Sequence, residues 1–201
     1  MGCAQSFDRQ RAIAWLENNV SEHRLNHIFG VEAMAAELAT IHGVDRQKAK
    51  IAGLLHDLAK FFPPPKLLAI AEEAALEVDE ICQRVPHLIH ADVSAVVAQR
   101  EFGITDPEIL SAITLHTLGQ ANMSDLDCII FVADALEPGR GDDKKLNKMR
   151  DLSKKNLPKA VWYVCDYTLK HLIKGDRLIH PRVIDTRNWA MQVARSKPGH
   201  S

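Results

Sequence analysis

The spacing of apolar and polar residues along the chain predicts helices throughout. Apolar positions recur three and four residues apart, and alternation of period two is never sustained. Ser6 or Asp8 is placed to cap a first helix carrying Ile13, Leu16 and Val20. Ser21 caps a second, which ends near His42 with Gly43 as its C′ residue. Asp45 starts a third, predicted to run to Phe62 before Pro63-Pro64-Pro65. Further stretches are expected at about 65–76, 79–85 and 87–101. Asp106-Pro107 reads as an N-cap followed by proline at the first helical position, opening a helix to about 117. Ser124-Asp125-Leu126-Asp127 resembles a capping box ahead of the apolar run Cys128 to Ala133, the segment most ambiguous between helix and strand. Glu137-Pro138-Gly139-Arg140 is a break, and helices at about 143–155, 158–174 and 182–195 complete the chain. The fold class expected is all-α, a compact helical bundle in one domain.

Superimposed on these stripes are histidines where apolar residues would be ordinary. On the second helix Val31, Met34, Leu38 and Ile41 form a stripe that leads back to His27. Ala49, Ala52 and Gly53 lead to His56, Val97 and Val93 lead back to His90, and Ile109, Ala112 and Ile113 lead to His116. Asp57 and Asp134 lie in equally apolar company. A single inward histidine is more often a hydrogen-bonded core residue, and a single buried aspartate a cap or salt-bridge partner. Six such groups buried separately are costly, whereas one shared metal centre satisfies them together. Four imidazoles and two carboxylates suit iron, manganese, cobalt or zinc, and suit calcium or magnesium poorly. The other histidines have ordinary readings: His42 beside a helix C-terminus, His200 in a polar tail, and His171 and His180 outside the cluster. His23 and His87 neighbour candidate ligands.

Composition narrows the function classes. Of 201 residues, 25 are Lys or Arg and 26 Asp or Glu, a formal net charge of −1 that argues against a general nucleic-acid binder. Ten histidines stand against two tyrosines, which makes histidine the unusual entry in the composition. Cys3, Cys82, Cys128 and Cys165 are far apart with no C-x-x-C pair, which suits buried thiols in a reducing compartment and a cytoplasmic location. No apolar run is long enough to span a membrane, and no secretory signal is present. Met-Gly-Cys-Ala-Gln-Ser matches the M-G-x-x-x-S lipidation pattern with Cys3 as a second acyl site, though an unmodified terminus is favoured.

His27, adjacent His56-Asp57 and Asp134 resemble the H…HD…D signature of the HD-domain superfamily of metal-dependent phosphohydrolases. The dipeptide is set in Ala52-Gly53-Leu54-Leu55-His56-Asp57-Leu58-Ala59-Lys60. With Leu88-Ile89-His90, the segment Ala112 to Gly119, Met123 to Asp127 and Ala133 to Arg140 in order, the chain is similar to the YqeK-type family of bacterial symmetrical bis(5′-nucleosyl)-tetraphosphatases over about residues 21–195. Leu118 stands where that family usually has threonine, and Ala135 where lysine is common.

The resemblance implies an HD helical bundle with 1–20 as an N-terminal helix on the same domain, 21–142 as the HD core and 143–201 as a C-terminal helical extension. It implies cleavage of diadenosine tetraphosphate, and related dinucleoside polyphosphates, to two ADP by a dimetal-activated hydroxide, with a pair of iron ions. His27, His56, Asp57 and Asp134 would hold one ion, and His90 and His116 with a bridging Asp57 the second. Asp57, Lys60 and Arg140 are the catalytic candidates, and Lys60, Thr117, Gly119 and Arg140 the substrate contacts. Glu137 would support a metal ligand or pair with a cation. The basic run from Lys144 to Lys159 reads as a solvated face, because Asp142, Asp143 and Asp151 are interleaved. Two alternatives remain. One is another HD-type nucleotide phosphohydrolase or phosphodiesterase, although the Gly-Tyr-Pro motif of the cyclic-dinucleotide enzymes is absent. The other is a non-catalytic metal- or nucleotide-binding module. A nucleotide is the partner expected, with no membrane and no general nucleic-acid binding; a homodimer is the default assembly.

Overall fold

The computed structural model describes residues 7–196, so Ser6, Cys3 with the Met-Gly-Cys terminus, and His200 lie outside the described residues. Eleven helices follow one another, and no strand occurs among the described residues. They are α1 (Arg9–Asn19), α2 (Glu22–His42), α3 (Arg46–Leu55), α4 (Pro64–Glu73), α5 (Glu80–Arg84), α6 (His90–Phe102), α7 (Pro107–Leu115), α8 (Asp125–Leu136), α9 (Lys144–Ser153), α10 (Leu157–Lys174) and α11 (Pro181–Ser196). Short 3-10 turns at Pro86–Ile89 and Pro138–Arg140 join α5 to α6 and α8 to α9.

The caps fall where the polar residues put them. Asp8, Ser21, Asp45 and Asp106 each accept a backbone N–H of the following first turn, a bond worth about 1 kcal/mol at such a position. The Ser124–Asp127 capping box closes in both directions, and Gly43 ends α2 at φ 69°. The ambiguous run from Cys128 to Ala133 is helical. Helix α8 packs against α2, α3, α7, α9 and α10, so it is buried all round and shows no polar face to betray its period.

Two expectations are corrected. The stripe on α2 is buried through Leu38, but the last turn runs past the core and Ile41 is 44% exposed. The third helix ends at Leu55, not Phe62. The His56 ring takes the carbonyl of Gly53, the acceptor that a continuing helix would offer to the Asp57 amide. The chain then advances in i→i+3 turns, Lys60 N to Asp57 O and Phe62 N to Ala59 O. The buried Ser94 hydroxyl on α6 accepts from Ala59 N at 3.0 Å and pins this turn.

Helices α2 and α3 cross in close contact at Gly53. A Cβ there would lie 3.0 Å from Glu32 Cα and 3.2 Å from Glu32 N, both backbone atoms. Gly53→Ala gains about 0.5–1 kcal/mol of helix propensity but costs about 1–3 kcal/mol of overpacking. A lower urea midpoint at unchanged m is therefore expected. The chain after residue 143 shares the same core: Leu157, Val161, Val164 and Cys165 of α10 and Ala190 of α11 pack into it. Cys82, Cys128 and Cys165 are buried, and none is in a disulfide.

Candidate metal centre

His27 comes from the second turn of α2, His56 and His116 cap the ends of α3 and α7, and His90 opens α6. Asp57 follows His56, and Asp134 lies in the last turn of α8. These six side chains meet in the interior. All four imidazoles are at most 5% exposed and Asp57 is 1% exposed, while the Asp134 side chain keeps 24% of its surface.

Each ring is held by the nitrogen that faces away from the cluster. His56, His90 and His116 direct Nδ1 at the carbonyls of Gly53, His87 and Ile113, three residues earlier, at 2.7, 2.5 and 2.7 Å. A carbonyl can only accept, so Nδ1 carries a proton and Nε2 is the nitrogen left to face a cation. His27 Nδ1 lies 3.0 Å from Glu137 Oε1, with the same consequence. Four Nε2 atoms therefore converge. His90 Nε2 and His116 Nε2 confront each other at 3.1 Å, and His56 Nε2 is a buried nitrogen without a hydrogen-bond partner. This is the arrangement that orients imidazoles toward a cation.

Asp57 divides the cluster between its two oxygens. Oδ2 lies 3.4 Å from His56 Nε2 and 3.8 Å from His27 Nε2. Oδ1 lies 3.2 Å from His90 Nε2 and 3.7 Å from His116 Nε2. Asp134 Oδ1 lies 3.0 Å from His27 Nε2 and 3.7 Å from His56 Nε2. Burial would raise both carboxyl pKa values. The adjacent His56 and the bonded histidines outweigh it for Asp57, and His27 and His56 do so for Asp134, so both are held well below the usual range. Burial lowers His56, but Asp57 and Asp134 more than compensate and raise it to about 10. Burial pushes His90 down to about 4. The interior thus keeps two ionised carboxylates, faced by Arg24 at Asp57 and by Arg140 at Asp134. The orphaned His56 Nε2, the converging Nε2 atoms and the absence of thiolate among these six donors fit a borderline divalent metal.

Three cationic side chains rim the cluster. Lys60 Nζ is 3.2 Å from His90 Nε2. Arg140 donates to Asp134 Oδ1 at 2.7 Å and to the Asp134 carbonyl at 2.8 Å. Arg24 donates to Asp57 Oδ2 at 2.8 Å; it escaped the sequence reading, although it lies one turn before His27 on the same face. Thr117 Oγ1 stands 3.0 Å from His116 Nε2 and 3.3 Å from His90 Nε2.

Gly119, two residues after Thr117, contacts α11. It is buried at φ 62°, and a Cβ there would lie 2.6 Å from Thr186 Cγ2. Its environment is α11, where Thr186 Oγ1 donates to Leu118 O and Arg182 Nε donates to Gly119 O. Glu137 is buried between His27 and the Gly139 amide, which donates to Oε2. Arg150 of α9 holds the turn that carries Glu137, donating to the carbonyls of Leu136, Glu137 and Gly141. His42 reaches the Ser153 carbonyl at 2.7 Å. His23 lines a cavity of about 680 Å³ that opens beside His27.

A second group, Asp79, Cys82 and His180, also brings three donor types together. There the outward ring nitrogen faces a donor: the Arg182 amide donates to His180 Nδ1. Nε2 therefore carries the proton and donates to Asp79, an arrangement already satisfied without a metal.

The HD domain family model matches residues 24–139. The symmetrical bis(5′-nucleosyl)-tetraphosphatase of Bacillus subtilis is 35% identical over 91% of this chain and 97% of its own length. The protein of the same name from Halalkalibacterium halodurans is 35% identical over 90% of this chain and 96% of its own length. A solved structure from Clostridium acetobutylicum, described as a predicted HD superfamily hydrolase involved in NAD metabolism, superposes with a TM-score of 0.89 at 34% identity. That likeness covers 93% of this chain and 98% of the other. No helix among the described residues is long and apolar enough to cross a membrane.

Proposed function

The chain belongs to the HD domain family, and we propose that within it the protein is a symmetrical bis(5′-nucleosyl)-tetraphosphatase that hydrolyses diadenosine tetraphosphate to two ADP. The observation that carries the reaction type is the split of Asp57, one oxygen toward His27 and His56 and the other toward His90 and His116. The substrate is carried by relatives of that name that match over nearly their full length.

His27, His56, Asp57 and Asp134 would hold one metal, and His90, His116 and Asp57 the other. Iron is our choice among the metals these donors suit, and it rests on the family resemblance. When bound, the pair neutralises phosphate charge and acidifies the attacking water. Everything else falls to the side chains. The four Nδ1 bonds keep the imidazoles in the tautomer that offers Nε2. Lys60, Arg24 and Arg140 surround the cluster with donors for phosphate oxygens, Arg140 through a planar fork. Thr117 offers a hydroxyl at the His90 and His116 side. Water adds to one central phosphorus, the bridging P–O bond between the two central phosphates breaks, and the departing ADP carries away that oxygen. A nucleotide substrate and buried thiols suit the cytoplasm.

The decisive measurement is incubation of the metal-loaded chain with diadenosine tetraphosphate and separation of products by chromatography. ADP as sole nucleotide product is expected. ATP with AMP would place the attack at an outer phosphate and refute the reading.

A further inference from the structure

The cavity beside His27 runs along one face of α2. Asn26, Gly30, Ala33, Met34 and Glu37 line one wall, with Lys154, just past the end of α9, opposite near its far end. These positions recur at the helical spacing that places them on a single face. From His27 to Glu37 the face extends about 15 Å at the helical rise.

Its chemistry changes along that length. The mouth adjoins the metal cluster and carries Arg24 and Arg140. The middle is small and apolar at Ala33, which is exposed, and Met34, which is buried; Gly30 beside them is covered by the Glu137 carboxylate, which a Cβ there would meet. The far end is polar again, where Lys154 Nζ pairs with Glu37 Oε1 at 2.7 Å. Arg150 also lines the cavity, but its guanidinium is engaged by three carbonyls.

We infer that this groove seats one nucleoside diphosphate arm of the substrate, with the phosphates at Arg24 and Arg140, the nucleoside over Ala33 and Met34, and the base edge at Glu37 and Lys154. The assignment rests on the hydrolase reading, because it takes the metal cluster as the place where the phosphate chain is cut. Cations at the cleavage end, an apolar middle and a paired donor and acceptor at the tip match a diphosphate, a sugar–base body and a polar base edge in that order. The groove thereby selects for a nucleoside, and not for polyphosphate alone.

The test is calorimetric titration of the metal-loaded chain with ADP and, separately, with inorganic pyrophosphate. Ala33 is exposed on a long helix, so Ala33→Trp fills the groove without entering the core. ADP should bind at least about tenfold more weakly to Ala33→Trp, with pyrophosphate changed less than about twofold. Ala33→Ser, which adds little bulk, should retain ADP affinity. Unchanged ADP affinity in Ala33→Trp, equal weakening of both ligands, or no ADP binding by the parent chain would overturn the assignment. A chain that binds ADP in this way but leaves diadenosine tetraphosphate intact would keep the groove and refute the hydrolase reading.

Discussion

Asp57→Ala is expected to strip most of the metal from the chain and to lower turnover of diadenosine tetraphosphate by at least about 10³-fold. No other carboxylate in the cluster faces all four imidazoles. Its Oδ1 and Oδ2 look toward different histidine pairs, so its loss removes a donor from both halves of the site. It also leaves Arg24 without its carboxylate partner. The metal-free variant should therefore be compared with the parent by circular dichroism before turnover is interpreted. Elemental analysis of the parent should find two metals per chain. Full metal content in the variant would refute the bridging role. Asp57→Asn keeps the shape, loses the charge and should fall between the two.

The next largest effect is expected at Glu137, which touches no other ligand of the cluster than His27. Glu137→Ala removes the acceptor that fixes the His27 ring and the acceptor of the Gly139 amide. Metal affinity or activity should fall about 10–100-fold, the usual cost of losing such a partner. Glu137→Gln can still accept from His27 through its carbonyl oxygen, so it should retain more affinity than the alanine variant. Metal titration monitored by competition with a chelator separates the three proteins. Parent-like affinity in Glu137→Ala would mean that the ring is oriented by packing alone.

The helical stripes that end in His27, His56, His90 and His116 were legible because side chains three and four apart share a face whatever the tertiary setting. Caps were legible for the same local reason, since Ser21, Asp45, Asp106 and Ser124 bond to amides two or three residues ahead. The end of α3 was not. There the His56 side chain competes with the backbone for the Gly53 carbonyl, and a periodicity argument counts His56 as one more helical position. Arg24 was missed because a polar residue in the first turn of a capped helix looks ordinary. Only the fold brings Asp57, 33 residues on, to within hydrogen-bond reach. The close neighbour of Gly119 is Thr186, 67 positions later by the sequence numbering. Such long-range contacts leave no local pattern.

The near-neutral charge also becomes intelligible. The chain needs no basic surface to collect a polyanion if Arg24, Lys60 and Arg140 are gathered at one mouth around a metal cluster. Three of the seven cations between Lys144 and Lys159 have local partners: Arg150 holds carbonyls, Lys154 pairs with Glu37, and Lys145 lies over the Tyr167 ring.

The Arg150 clamp bears on what can be transplanted. Residues 24–139 contain every imidazole and carboxylate of the cluster. Yet the carbonyls around Glu137 are tied down by Arg150, and those of Leu118 and Gly119 by Thr186 and Arg182. A graft of the matched segment into another helical scaffold would carry the donors and leave their scaffolding behind. The portable unit of this chemistry is longer than its signature, and a designer borrowing it would have to take α9 and α11 as well.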